Sequence, residues 1–173
     1  MIVRREEPAD IEGIRAVHTA AFPAPDEGQV PVEVGLVDAL RASDAWVPAL
    51  SLVACEPGND QLIGHVVCTR ASVAGRPALG LGPLGVLPGR QRQGVGSALM
   101  HAVLAAADAL DFPVVVLLGH PGYYPRFGFR PAAELGIVPP DPSWREAFQA
   151  RPLAAYTDDV QGEFAYAAPF TEL

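Results

Sequence analysis

A chain of 173 residues is long enough to bury one hydrophobic core, so we expect a single domain over residues 1–173. Twelve Lys and Arg against twenty Asp and Glu give a formal charge of -8, which disfavours nucleic acid as a partner because phosphates would be repelled. Half of the residues are hydrophobic, yet no run approaches the roughly 20 apolar residues of a membrane helix, and the N-terminus soon becomes charged. Neither export nor a membrane partner is expected, and a cytoplasmic location is predicted.

The two cysteines lie in different apolar runs of the sequence. Cys55 and Cys68 each occur in a strand-like stretch, and neither has a partner at the spacing of a metal site or of a disulfide framework. We therefore expect two buried free thiols and no bound metal.

In the first half of the chain, apolar periodicity predicts two helices and four strands. A short strand covers residues 2–5, and Pro8 with Asp10 then opens a helix. A second helix is predicted over residues 32–42, because its apolar positions fall on one face. Runs at 49–56, 61–72 and 77–87 are separated by PGND and AGR, which are turn sequences typical of an antiparallel meander.

The second half begins with the most regular helix, predicted over residues 94–110 from a single apolar stripe. The run 113–119 is continuously apolar and β-branched, as in a strand covered on both faces. A strand, a helix and a buried strand form a right-handed crossover unit, in which the two strands are parallel. After it, the sequence indicates a turn or short helix near 123–127, a strand near Phe129, a proline-rich connection through Pro142 and a last strand near 163–167.

A dinucleotide-type motif inside the third meander run carries little weight. GLGPLG at residues 80–85 satisfies G-x-G-x-x-G letter by letter. That fingerprint requires glycines that follow a strand and open a helix, whereas here Pro83 lies in a strand-like run and no helix begins until after Pro88. A Rossmann-type cofactor is therefore not predicted.

The glycines that open the long helix have the surroundings of an anion site. Without Cβ atoms, Gly94 and Gly96 allow a close approach to the first N–H groups of the helix, which have no acceptor within the helix. Arg90 and Arg92 add local positive charge. A pyrophosphate suits this loop, and the alternative is a tight strand-to-helix connection with solvated arginines.

Two motifs resemble the GNAT N-acetyltransferase superfamily. The pattern V-x-P-x-x-Q-x-x-G-x-G resembles its acyl-coenzyme A signature, at Val86, Pro88, Gln91, Gly94 and Gly96. The segment YYPRFGF at residues 123–129 resembles the family's F-Y-x-x-x-G-F. The wider stretches LGPLGVLPGRQRQGVG, GHPGYYPRFGF and GEFAYAAPF are most similar to the YhbS-type bacterial subgroup. The resemblance implies an α/β (α+β) fold, in which a mixed, mostly antiparallel sheet with one splayed parallel strand pair is flanked by helices.

The resemblance also implies acetyl-CoA as the co-substrate and assigns residues to it. The backbone of Leu84 and Val86 would hold the pantetheine arm, and the pyrophosphate would lie at the loop and first helical turn, at Gln91, Arg92, Gln93, Gly94, Val95, Gly96 and Ser97. A neutral amine would attack the acetyl thioester directly. Tyr124 matches the family tyrosine that protonates the leaving sulfur, and its alternative role is to pack the YYPRFGF turn.

The general base is left open by the sequence. Many members of the family carry a Glu on the strand before the loop, but residues 79–87 contain no carboxylate. Three substitutes are considered: Glu33 on the second helix, His120 after the buried strand, or a water chain to backbone carbonyls. His120 is attractive because an imidazole titrates near neutral pH, although a His before Pro121 and Gly122 is also typical of a turn. His18, His65 and His101 carry little site signal.

The leading hypothesis is therefore an acetyl-CoA-dependent N-acetyltransferase that acts on a primary amine of a small molecule or a protein. One alternative is a non-catalytic acyl-CoA-binding sensor or partner module of the same fold. Acetylation of aminoacyl-tRNA is disfavoured by the charge of -8. By resemblance, residues 22–42 and 139–166 would form the acceptor pocket, and a homodimer is possible. Acidic residues near the second helix, such as Glu33, would attract a cationic amine or simply be solvated.

Overall fold

The computed structural model describes residues 1–172. These residues form nine β-strands, four α-helices and several short 3-10 turns around one mixed sheet. The strands are β1 Ile2–Arg5, β2 Trp46–Cys55, β3 Leu62–Val73, β4 Arg76–Val86, β5 Val114–Leu118, β6 Arg130–Pro131, β7 Ile137–Val138, β8 Phe148–Pro152 and β9 Gly162–Ala165. The helices are α1 Ile11–Ala21, α2 Val32–Arg41, α3 Val95–Ala109 and α4 Pro169–Glu172.

The strands follow the order β1-β2-β3-β4-β5-β8-β6, and β9 pairs with both β3 and β7. Neighbours from β1 to β4 are antiparallel, as the predicted meander requires, and β8 pairs antiparallel with β5 and β6. The crossover through α3 makes β4 and β5 parallel. The fold class predicted from the sequence, a mostly antiparallel sheet with one parallel pair flanked by helices, is confirmed.

The parallel pair separates soon after it forms. β4 and β5 are in register only at Leu79 with Val115 and at Gly80 with Val116, although β4 continues to Val86. The register of β4 with β3 also shifts between Leu84 and Leu81. Beyond Gly80 the two strands therefore have an open space between them, at their carboxyl ends.

Helices cover both faces of the sheet and complete the core. On one face, Val95, Leu99 and Val103 of α3 are buried against β2 and β3. On the other face, Ile14 and Val17 of α1 pack over Val53 and the start of β3. Their spacing of three or four residues is the helical period that predicts these buried stripes.

Two strands escaped prediction, the two-residue β7 within the proline-rich connection and β8 after it. β8 follows the proline-rich connection, and its sequence FQARP alternates Phe148 and Ala150 with polar residues. Gln149 nevertheless lies buried, because its amide donates to the Gly119 carbonyl at 3.1 Å. The local sequence does not show that Gln149 will gain this distant hydrogen-bond partner. For that reason β8 is recognised only from the tertiary structure.

Both cysteines are buried with free thiols, as predicted. Burial raises the pKa of the Cys68 thiol well above its usual value.

Among residues 1–172, no helix combines the length and the apolar character needed to cross a membrane. In the same residues, no group of three or more His, Cys, Asp or Glu side chains is arranged to hold a metal ion.

Candidate active site

The open space between β4 and β5 is a cavity of about 690 Å³, called the cleft from here on. β4 supplies one wall through residues 81–84, and Leu117 and Leu118 of β5 supply the other. Both segments expected to form the acceptor pocket also contribute. From these come Phe22, Glu33, Leu36, Pro140, Asp141, Trp144, Phe164, Ala165 and Tyr166, followed by Phe170 and Thr171 of α4.

The end of β4 has peptide groups that do not pair with β3. The Leu87 N–H donates to the Ile63 carbonyl at 2.9 Å, which makes this a hydrogen-bonded pair of the antiparallel ladder. Because such pairs alternate, Gly85 also bonds towards β3, whereas the N–H and C=O groups of Leu84 and Val86 point away from β3. These are the two residues expected to hold the pantetheine arm.

The N-terminus of α3 retains the features of an anion site. Gly94 precedes the helix with φ +86°, a left-handed conformation that favours glycine, and a Cβ there would meet open space. The first helical hydrogen bond runs from the Ala98 N–H to the Gly94 carbonyl at 3.0 Å. The N–H groups of Val95, Gly96 and Ser97 therefore precede the first intrahelical bond and are available to a ligand.

The side chains of the loop mainly shape the loop itself. The Gln91 amide donates to the Val86 carbonyl at 3.1 Å, and the Gln93 amide donates to the Gly89 carbonyl at 3.1 Å. Arg90 forms an ion pair with Glu56, so its charge is partly neutralised. Arg92 is exposed and adopts φ +60°. The loop thus offers backbone N–H groups, with Arg92 as its remaining local cation.

Tyr124 lies in the cleft on the 3-10 turn Tyr124–Phe127. Its ring packs edge-on against Tyr123 and Phe129, at centroid distances of 5.0 and 5.9 Å. Gly119 makes room for it, since a Cβ there would lie 2.3 Å from Cε2 of Tyr124. Burial, with a smaller effect of Tyr123, raises the pKa of Tyr124 to about 12, so the phenol stays protonated at neutral pH and can donate a proton.

The two candidate bases occupy different environments. Glu33, in the first turn of α2, is half-buried and lines the same cleft as Tyr124. His120 is exposed and does not line the cleft, and its Nδ1 accepts the Gly122 N–H at 3.0 Å. This is the turn hydrogen bond considered as the alternative for His120, and its role as a base stays a prediction.

The structure also joins two histidines that carried little signal in the sequence. Nε2 of His18 lies 2.8 Å from Nδ1 of His65, and Nε2 of His65 lies 2.9 Å from Oγ of Ser51. Ser51 donates to the Glu6 carboxylate, which also accepts from Nε of Arg41 at 2.7 Å. Both imidazoles are fully buried. Residues from α1, α2, β2 and β3, together with Glu6 just after β1, therefore form one polar chain inside the protein.

The number of hydrogens on each side chain determines which group donates in each hydrogen bond of this polar chain. The single Ser51 hydrogen goes to the carboxylate, so Ser51 Oγ accepts from Nε2 of His65. Nδ1 of a neutral His65 is then an acceptor, and it receives the Nε2 hydrogen of His18. Nδ1 of His18 is left without a hydrogen and, among the described residues, without a partner. Burial lowers the pKa of His18 to about 3, so the chain holds neutral imidazoles.

The structure thus has the splayed parallel pair and the glycine-led helix N-terminus that the resemblance to the GNAT superfamily implied. The acetyltransferase (GNAT) domain model matches residues 48–131. The N-acetyltransferase YhbS of Escherichia coli K12 is 33% identical over 156 residues, covering 89% of this chain and 88% of its own length. The N-acetyltransferase YjhQ of the same strain is 36% identical over 129 residues, covering 72% of this chain and 67% of its own length. The chain belongs to the GNAT family of N-acetyltransferases.

Two crystal structures of similar proteins agree with this membership. YhbS from Escherichia coli in complex with CoA superposes with a TM-score of 0.86 at 30% identity, over 99% of this chain and 92% of its own. A GNAT family acetyltransferase from Brucella melitensis in complex with acetyl-CoA superposes with a TM-score of 0.77 at 37% identity, over 98% of this chain and 97% of its own. The family predicted from the two sequence motifs is confirmed.

Proposed function

We propose that this GNAT enzyme transfers acetyl from acetyl-CoA to a primary amine in the cleft, with Tyr124 as general acid and Glu33 as general base. The observation that carries this assignment is that a half-buried phenol and a half-buried carboxylate line one cavity between the splayed strands. The CoA and acetyl-CoA complexes of the two similar structures support the same co-substrate here.

The residues present fit acetyl-CoA at three points. The outward peptide groups of Leu84 and Val86 suit the amides of pantetheine, and the first-turn N–H groups of α3 suit the pyrophosphate. The open space at Gly94 leaves room for the phosphates to approach. Bound acetyl-CoA supplies a thioester carbon for the amine to attack and a thiolate as the leaving group.

The residues of the chain manage the two protons of the reaction. Glu33 accepts the proton that the amine must lose to become a nucleophile. Tyr124 donates its hydroxyl proton to the sulfur as the thiolate leaves, and its raised pKa keeps that proton available across the neutral range. The apolar walls formed by Leu81, Leu84 and Leu117 exclude water that would hydrolyse the thioester.

The first test measures binding of acetyl-CoA by calorimetry. Gly96→Trp places a large ring at the first turn of α3, where the Cβ would lie 3.0 Å from the movable hydroxyl of Tyr123 and 3.8 Å from Cγ2 of Val86, an ordinary contact. We expect this variant to lose binding while it remains folded. Gly35→Trp, at an open helical position in α2, is the matched control and should bind normally. Equal binding by both variants would contradict the proposed phosphate site.

The second test measures thiol release over a panel of primary amines. Tyr124→Phe should lower kcat by roughly 100-fold or more and leave the Kd of acetyl-CoA unchanged. Tyr123→Phe is the control, because this neighbouring tyrosine does not line the cleft. Glu33→Gln should lower kcat strongly and His120→Gln should not, and the reverse pattern would make His120 the base.

The same panel addresses the second candidate function. The absence of a carboxylate on β4, from residue 76 to 86, favours a sensor that binds acyl-CoA without transfer. Tight binding of acetyl-CoA without release of thiol on any amine would support that candidate.

A cytoplasmic location is supported by the free thiols of Cys55 and Cys68, which a reducing compartment preserves. A homodimer stays a prediction that sedimentation equilibrium would test.

A further inference from the structure

We infer that the acceptor is an apolar, ring-bearing primary amine that enters as a cation and carries no carboxylate. This inference rests on the proposed function, since it concerns the acceptor end of the same cleft. Its basis is the combination of carboxylates and aromatic side chains in the lining of the cleft.

The charged side chains of the cleft have one sign. Its lining includes two carboxylates, Glu33 and Asp141, and no Lys, Arg or His from residues 1–172. A carboxylate on the acceptor would therefore lose its hydration on entering the cleft without gaining a cationic partner there. It would also be repelled by the two carboxylates of the lining. An ammonium group would instead be attracted by both carboxylates. The lining therefore favours cationic amines over zwitterionic amino acids.

Asp141 is held in place by its own turn. It precedes the 3-10 turn Pro142–Ala147, and its Oδ1 accepts the Ser143 N–H at 2.9 Å. Hydrogen bonding by the side chain and backbone of Ser143 lowers the pKa of Asp141 below its usual value. The Trp144 N–H donates to the Asp141 carbonyl at 3.2 Å, so the same turn positions both the carboxylate and the indole at the cleft. The sequence DPSW thus presents a charge and a ring as one unit.

Other rings extend this surface. The Tyr166 ring lies 6.3 Å from Trp144 and 4.6 Å from Phe170, measured between centroids. Phe22 and Leu36 line the cleft from the side of α1 and α2. Aromatic faces attract a cation and also cover apolar carbon groups. An acceptor that has only polar groups beside its amine would leave this surface uncovered, which is why the inference specifies an apolar, ring-bearing body.

The test compares four primary amines as substrates of the wild-type enzyme with acetyl-CoA. These are 2-phenylethylamine, L-phenylalaninamide, L-phenylalanine and ethanolamine. The first two carry a ring and no carboxylate, the third adds the carboxylate, and the fourth lacks the ring. We expect kcat/KM for the first two to exceed that for phenylalanine by about 100-fold, because phenylalanine leaves a charge unpaired in the cleft. Ethanolamine should also be a poor substrate.

Two variants link this preference to Asp141. Asp141→Asn keeps the capping oxygen and removes the charge, so KM for 2-phenylethylamine should rise about tenfold with the Kd of acetyl-CoA unchanged. Asp141→Arg should improve the relative use of phenylalanine. Glu146→Gln is the control, because this acid belongs to the same turn but does not line the cleft. If Asp141 had only a structural role, Asp141→Arg would not reduce the discrimination against the carboxylate of phenylalanine.

The outcomes separate this inference from the proposed function. Acetylation of phenylalanine or ethanolamine at least as efficiently as 2-phenylethylamine would overturn the inference and leave the transferase intact. Selective binding of 2-phenylethylamine to the CoA-loaded protein, with no thiol release, would support the inference and refute the transferase. Failure of all four amines both to bind and to react would overturn the inference.

Discussion

Lowering the pH from 7 to 5 should destabilise this protein through the buried imidazole chain. Burial is the main cause that lowers the pKa of His18 to about 3, from an ordinary value of 6.5. Below pH 6.5 the unfolded chain therefore binds a proton at this residue and the folded protein does not. The stabilisation from neutral His18 is complete above pH 6.5 and is lost as the pH falls towards 3.

The size of this effect follows from proton linkage. Each pH unit in that window removes about 1.4 kcal/mol from the free energy of unfolding for one such group, or about 2 kcal/mol at pH 5. Burial also lowers the pKa of His65, which adds a loss of the same sign. Burial alone would raise the pKa of Glu6, but the nearby His65 imidazole and hydrogen bonds from Arg41 and Ser51 outweigh it and lower this pKa to about 2. Glu6 therefore contributes a further loss of stability as the pH falls below 4.5.

The assay is urea unfolding at half-unit steps from pH 7.5 to 4.5. His18→Gln keeps an amide donor for Nδ1 of His65 and removes one titrating group, so the slope of stability against pH should fall by about 1.4 kcal/mol per unit. Phe22→Leu is the control, because Phe22 stacks on the His18 ring without titrating. It should lower stability at every pH and leave the slope unchanged. A wild-type curve that is flat from pH 6.5 to 5, or an equal slope in His18→Gln, would refute the reasoning.

Two further substitutions test the packing around the cleft and the core. Gly119→Ala places a methyl group 2.3 Å from Cε2 of Tyr124, so kcat should fall about tenfold or more while acetyl-CoA still binds in calorimetry. An unchanged kcat would mean that the position of the phenol is not critical. Leu99→Ala removes a fully buried side chain between α3 and the sheet and should cost about 2–5 kcal/mol of unfolding free energy in urea. A loss of unfolding free energy below about 1 kcal/mol would show that neighbouring side chains relax to fill the cavity.

The sequence alone determined the features that depend on neighbours along the chain. The apolar stripe of α3 and the continuous run of β5 each follow from a short period, and together they predict the parallel pair. The cofactor role proposed for residues 91–97 also comes from the sequence, because such a role depends on backbone N–H groups and glycines at a defined spacing. The role proposed for Tyr124 likewise comes from a short motif, and both roles stay predictions.

The tertiary structure decided everything that joins distant segments. His18 and His65 are 47 residues apart, and only the packing of α1 against β3 brings their rings together. Likewise, Glu33 and Asp141 reach one cleft with Tyr124 because α2 and the turn before β8 fold over the splayed strands. No local period encodes such contacts, since they depend on how separate elements bury their apolar faces. For this reason the sequence could propose the cofactor loop, Glu33 among three candidate bases, and two segments for the acceptor pocket. Only the structure shows that Glu33 lines the cleft while His120 does not, and which side chains of those segments face the cleft.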